Sequence, residues 1–209
     1  MTAKLKALVL GASGLVGQAL VNQLIDDDRY EAVVCLLRKP LNGKFFKRHD
    51  PKLQPIVIDF TRLEEYQGYF GVDHVYVCLG TTIKQAGSRS AFRLVDFEYV
   101  HIAAQLARAQ NVRSFVWISS VGANAKSRHF YLRVKGELEN AIMAMSGLAN
   151  ASAVRPSLLL GTRTEYRLLE RLGAMFAKLM SPLLVGRLAK YRPVHVSTVA
   201  AQMIRLQQF

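Results

Sequence analysis

Six short apolar runs recur along this chain: LKALVL (5–10), EAVVCLL (31–37), PIVID (55–59), HVYVCLG (74–80), SFVWIS (114–119) and SAVRP (152–156). Runs of that length, rich in Val, Ile and Leu and with little alternation, suit strands buried on both faces. Between them, LVGQALVNQLI (15–25), SAFRLVDFEYVHIAAQLARAQ (90–110) and FYLRVKGELENAIMAM (130–145) repeat their apolar residues at helical spacing. The connection between the second and third runs is shorter and poorly patterned. Buried strands joined by crossovers predict an α/β fold: a doubly wound, mostly parallel sheet with helices on both faces. In such a fold, ligands sit at the carboxyl ends of the strands.

With 209 residues, 51% of them apolar, the chain has material for one substantial core, so residues 1–209 read as a single domain. After Pro156 the alternation stops. EYRLLERLGAMFAKLM and SPLLVGRLAKY place Leu168, Leu172, Met175, Leu179 and Leu183 at helical spacing, with Pro182 as a break. The same periodicity suits a basic amphipathic membrane surface, but the better reading is a small C-terminal helical cover, 157–196, packed over the carboxyl edge of the sheet with its inner face lining a substrate pocket. A strand-like PVHV (193–196) and the helix STVAAQMIRLQ follow.

The junction between the first run and the first helix is GASGLVG, Gly11 to Gly17. The first amides of a helix are unpaired donors at the positive end of the macrodipole, and glycine lets an anion approach them. Gly11 suits the tight turn, Gly14 the approach of a pyrophosphate, and Gly17 close packing of helix on strand, with Ser13, Leu15 and Val16 beside them. The spacing is G-x-x-G-x-x-G, and its strand-to-helix context is that of a dinucleotide-binding turn.

The second run asks which dinucleotide. Carboxylates that bond the ribose of NAD stand about twenty residues past the glycines, but this run ends LLRKP, with Arg38 and Lys39. A guanidinium there can hold the extra phosphate of NADP through two charge-assisted bonds. The expected cofactor is therefore NADP(H). Asp59, with Phe60, ends the third run and is placed either to meet an adenine edge or to cap the helix TRLEEY.

The net charge of +13 is densest in RKPLNGKFFKRHDPK, Arg38 to Lys52. A basic, aromatic patch can hold single-stranded nucleic acid, but a connecting loop is the better reading, with Lys44 to Lys52 solvated. Cys35 and Cys78 lie inside apolar runs and read as reduced thiols, which points to the cytoplasm. No run reaches the length of a membrane span, and glycine and serine interrupt the opening MTAKLKALVL too early for a leader.

A third cluster carries chemistry. ISS (118–120) closes the fifth run, and a helix opens FYLRVKGELE, with Tyr131 eleven residues after Ser120 and Lys135 four further on the same face. A lysine so placed stabilises a tyrosinate, drawing the phenol towards neutrality so that it exchanges a proton with a carbonyl or alcohol oxygen; Ser120 can hold that oxygen.

With these residues in view, GASGLVG, CLGTT (78–82), VDFEYV (95–100), ISSVGA (118–123), YLRVKGELE (131–139) and VRPSLLLG (154–161) resemble the atypical short-chain dehydrogenase/reductases, specifically the small Tat-interacting-protein oxidoreductase family. The resemblance runs from about residue 5 to 200. It implies an NADP-binding Rossmann fold with a Ser120, Tyr131, Lys135 triad. In it Tyr131 is the acid/base, Lys135 bonds the nicotinamide ribose and Ser120 polarises a small-molecule substrate. It also implies that Gly80 and Thr81 pass near the cofactor and that Arg155 and Pro156 approach its nicotinamide end. Some members are described through protein partners, so a nucleotide-sensing interaction module is the alternative. Where many relatives in the wider superfamily carry an asparagine, this chain has Asp96, which cannot donate as an amide does.

The remaining signals subtract functions. His49, His74, His101, His129 and His195 have no pairwise ligand spacing, so no metal is expected. Ser13 lies in G-A-S-G rather than G-x-S-x-G, which removes a hydrolase elbow.

Overall fold

The computed structural model describes residues 4–40, 50–148, 150–160 and 192–207. Within them β1 (Leu5–Leu10), β2 (Tyr30–Leu37), β3 (Leu53–Val57), β4 (His74–Val77), β5 (Ser114–Ile118) and β6 (Ala151–Val154) form one sheet in the order β3-β2-β1-β4-β5-β6. Every pairing in it is parallel, with Val9 opposite both Cys35 and Tyr76. The doubly wound sheet is present, and the order reverses beside β1, so a crevice opens between the carboxyl ends of β1 and β4.

Helices cover both faces because the strands are apolar on both. On one side α1 (Leu15–Asp26) packs with α6 (Val196–Arg205), bringing Leu20, Val21 and Leu24 against the same core as Val199, Ala200 and Met203. On the other, α4 (Tyr99–Ala109) and α5 (Phe130–Met143) bury Val100, Ala103, Leu138 and Ile142 against Phe115 and Trp117. Each fully buried aliphatic side chain contributes about 1.5–3 kcal/mol. At the opposite edge from the crevice, the Tyr30 hydroxyl lies 2.7 Å from His74 Nδ1 and 2.8 Å from the Tyr76 hydroxyl.

Several boundaries differ from the sequence reading. β3 runs 53–57, earlier than the apolar run 55–59: it is an exposed edge strand paired only with β2, where Pro55 costs no needed donor. β4 ends at Val77, because β1 turns away at Gly11 and leaves Cys78 to Gly80 as crevice wall. The stretch after β3 is a 3-10 helix, Phe60–Phe70, kinked at Arg62 and Tyr66. The helix expected over 90–110 is three pieces in series: α3 (Arg89–Arg93), a π-turn (Leu94–Glu98) and α4. A four-residue α2 (Ile83–Ala86) precedes them.

Near the C-terminus β7 (Leu159–Leu160) pairs in parallel with β8 (Val194–His195), which accounts for the strand-like PVHV. Residues 161–191, most of the expected cover, and 41–49, most of the basic segment with His49, lie outside the described residues. Lys52, expected to be solvated, instead caps α1: its ammonium donates to Ile25 O at 3.0 Å and Asp27 O at 3.2 Å, where the helix macrodipole is negative.

Candidate functional site

The glycine turn is built as its sequence demands. Gly11 has φ +82°, and a Cβ there would lie 2.6 Å from the carbonyl of Cys78. Gly14 is the N-cap of α1 and its amide donates to Gly11 O at 3.0 Å. Among the described residues no side chain caps α1, and its first turn carries no acidic residue that would compete with a bound anion. Gly17 is buried, and a Cβ there would meet Gly11 O at 2.2 Å.

Around this turn lies a cleft of about 540 Å³. Its walls are Gly11, Ser13 and Gly14; Leu36 to Arg38 at the end of β2; Phe60; Cys78 to Thr81 beyond β4; Gln85 and Ala86 of α2; and Ala91, Leu94, Val95 and Tyr99. Glycine backbone at one wall, an uncapped helix end beside it and an exposed Arg38 at the rim suit a ligand with phosphates. The volume is in the range of small-molecule and cofactor pockets, roughly 300–1,000 Å³.

The other residues expected near a cofactor divide. Val16 is buried in the α1 core and Leu15 packs against it, so they hold the turn from behind. Lys39 is exposed and does not line the cleft. Asp59 is the cap: its Oδ1 accepts from Thr61 N at 2.9 Å and Thr61 Oγ1 at 2.7 Å, and these bonds hold its carboxyl below the usual range. Arg155 lays its guanidinium on Glu139 of α5, Nε to Oε1 at 2.9 Å, and Pro156 receives the amide of Val121 at 2.9 Å. Both lie outside the cleft wall.

Tyr99 is a wall residue that the sequence reading passed over. It is nearly buried, its ring centroid is 5.7 Å from that of Phe60, and burial raises its phenol's proton affinity, with Asp59 adding to the rise and Arg38 opposing it. The signal was its place at the start of α4, directly after VDFE. Cys78 also lines the cleft; burial raises its thiol and leaves it a poor nucleophile.

Beyond Thr81 the cleft continues as a chain of bonds. The amide of Thr81 donates to Asp96 Oδ2 at 2.8 Å, and Asp96 Oδ1 lies 2.8 Å from Lys135 Nζ. Asp96 is 1% exposed and Lys135 2%. The π-turn, whose wider loop of backbone pushes one residue inward, carries Asp96 into this position. Burial raises the Asp96 carboxyl above the usual carboxylate range, more than Lys135 and Thr81 draw it down. Lys135 also reaches Ile118 O at 3.4 Å.

Tyr131 stands one helical turn before Lys135, partly exposed, with its ring centroid 5.6 Å from that of Phe92. Ser120, partly exposed, donates to Val121 O at 3.3 Å, whereas the neighbouring Ser119 hydroxyl is buried without a partner. Among the described residues no hydrogen bond joins the side chains of Ser120, Tyr131 and Lys135. α5 reaches this position because Gly136 lets it lie on the preceding loop, where a Cβ would be 2.2 Å from Ala125 N.

Comparison with known proteins agrees with this fold. Residues 11–179 match a family model described as NAD(P)H-binding. The chain is 36% identical over 160 residues to Protein HTATIP2 of Rattus norvegicus, covering 76% of this chain and 64% of that protein, so it spans less than two thirds of that relative. It is 32% identical over 164 residues to Protein FMP52, mitochondrial, of Debaryomyces hansenii, covering 77% of this chain and 70% of that one. Among solved structures, the Bordetella bronchiseptica enzyme WbmH in complex with NAD+ superposes with a TM-score of 0.70 at 17% identity, covering 98% of this chain and 72% of that one. UDP-glucose 4-epimerase of Thermotoga maritima gives 0.70 at 14%, covering 95% and 72%. At such identities these two show the fold alone. With its Rossmann sheet, its glycine cleft and these relatives, the chain belongs to the NAD(P)H-binding family, among the atypical short-chain dehydrogenase/reductases.

Proposed function

We propose that this protein is an NADP-dependent oxidoreductase acting on a small carbonyl or alcohol. The observation that carries the NADP preference is Arg38 at the rim of the cleft, where β2 ends without a carboxylate and Asp59 is spent on its own cap. Gly11, Ser13, Gly14, Gly80 and Thr81 supply the backbone surface that would hold the dinucleotide. When bound, the nicotinamide supplies the hydride chemistry. The chain's own residues supply the rest. Tyr131 exchanges the proton with the substrate oxygen, Ser120 holds that oxygen, and Lys135 presents positive charge one turn below the phenol. Cys35 and Cys78 are free thiols, which fits a reducing compartment that we take to be the cytoplasm; the FMP52 relatives carry "mitochondrial" in their name. Among the described residues no helix is long and apolar enough to cross a membrane.

The test is Tyr131→Phe against a panel of small aldehydes and ketones with NADPH. Binding of NADPH, read by fluorescence, should stay near that of the parent while NADPH oxidation falls at least 100-fold, about the contribution of a lost general acid. Equal turnover in the variant removes Tyr131 from the mechanism.

A second reading has its own observation. Lys135 is bonded to Asp96 and not to Tyr131, and an NADPH-sensing module that binds a protein partner has no need of a tuned phenol. Tight NADPH binding with no oxidation of the cofactor across the panel would favour it.

A further inference from the structure

Lys135 places its amine where there is almost no water. It is 2% exposed, and among the described residues its partner apart from Asp96 is the carbonyl of Ile118 at 3.4 Å. A lysine so buried, left to itself, sheds its proton, since desolvation penalises the charged form. The charged groups on the elements around it are already committed. On α3 and the π-turn, Arg93 pairs with Glu98 and Glu137; on α5, Glu137 also faces Arg133, and Glu139 holds Arg155. Strand β5, SFVWI, carries no charge. Among the described residues Asp96 is therefore the one carboxylate in ion-pair reach of Lys135, at 2.8 Å.

We infer that Asp96 is a positioning residue whose task is to keep Lys135 protonated and fixed beneath Tyr131, so that the phenol meets a cation. An amide at this position could hold the nitrogen in place but could not balance its charge. Asp96 also accepts the Thr81 amide, so the same carboxylate ties the cleft wall to the lysine. Its meaning for proton transfer rests on the oxidoreductase reading; the charge assignment itself does not.

The experiment reads the lysine directly. Protein labelled with 15N and 13C in its lysines is titrated by NMR, the Lys135 side-chain signal being identified by its loss in Lys135→Met. The midpoint of this signal in the parent is the reference. In Asp96→Asn its midpoint should fall by roughly two units or more. A Lys135 midpoint that stays at the parent's in Asp96→Asn overturns the proposal. If Asp96→Asn is too unstable to titrate, the double variant Asp96→Asn/Lys135→Met decides. Removing the stranded charge should restore a cooperative melt above that of Asp96→Asn alone. A double variant no more stable than the single one overturns the inference by assigning Asp96 a purely structural bond to Thr81. Because neither readout uses cofactor or substrate, an absence of NADPH turnover would sink the proposed function without touching this result.

Discussion

Gly17 on the first turn of α1 lies against Gly11, so close that a Cβ on one would sit 2.2 Å from the carbonyl oxygen of the other. The obstruction is backbone at both ends of the contact, with Ala12 Cα at 2.8 Å, so no side chain can swing aside. Gly17→Ala should therefore push α1 away from β1 and open the turn that forms the cleft wall. The expected cost is about 1–3 kcal/mol of stability or more, read by urea unfolding, together with loss of measurable NADPH binding by fluorescence. A variant with parent stability and affinity would show that the turn relaxes freely.

Arg38 should decide between the two dinucleotides. Removing a charge-assisted contact costs about 1.5–3 kcal/mol. Arg38→Ala should thus weaken NADPH by roughly tenfold to a hundredfold while NADH, lacking the extra phosphate, changes little. A paired fluorescence titration measures it. Equal losses for both dinucleotides would assign Arg38 to general attraction and leave the NADP preference without its residue.

Gly136 performs for α5 what Gly17 performs for α1. A Cβ there would be 2.2 Å from Ala125 N and 2.3 Å from Asn124 C, in a loop already bound to the helix through Asn124 N and Leu132 O at 3.0 Å. Gly136→Ala should separate the loop carrying residues 121–129 from the helix carrying Tyr131. The expected result is faster amide exchange in that loop and a lower melting temperature, with NADPH affinity less affected than in Gly17→Ala. Unchanged exchange would mean the loop follows the helix outward intact.

The Asp96 carboxyl predicts a pH dependence of stability. Desolvation raises its folded-state pKa above the unfolded value of about 3.9. Its stabilising contribution is full below the unfolded value and is lost as pH rises through the folded one. Asp96→Asn has no such proton. The stranded Lys135 lowers the stability of Asp96→Asn by an offset that is constant below neutral pH; on top of that offset, the difference in unfolding free energy between parent and variant should narrow as pH rises, at no more than about 1.4 kcal/mol per pH unit for this group. A difference independent of pH would show that the carboxyl titrates alike in both states.

The sequence by itself determined the sheet and its cofactor turn. Six apolar runs and the crossovers between them leave little choice but a doubly wound parallel sheet, because strands buried on both faces need helices on both sides. Gly11, Gly14 and Gly17 announce the strand-to-helix turn, since only glycine allows the positive φ and the close contacts found there. Arg38 could be placed at the cleft because the end of β2 is fixed by the strand pattern. What the tertiary structure alone decided were the partnerships of side chains distant in the chain. The periodicity of 90–110 reads as one regular helix, and nothing in it marks the π-turn that turns Asp96 inward to Lys135. Arg155 could be placed near the nicotinamide only by resemblance, and its pairing with Glu139 comes from a helix that the local sequence around Arg155 does not name. Asp59 could serve an adenine or a helix end, and only the folded structure shows its bonds to Thr61, which make it a cap. Local patterns set backbone conformation and burial within a few residues, whereas ion pairs and close packing depend on which surfaces meet, and that is fixed only when the sheet has closed its layers.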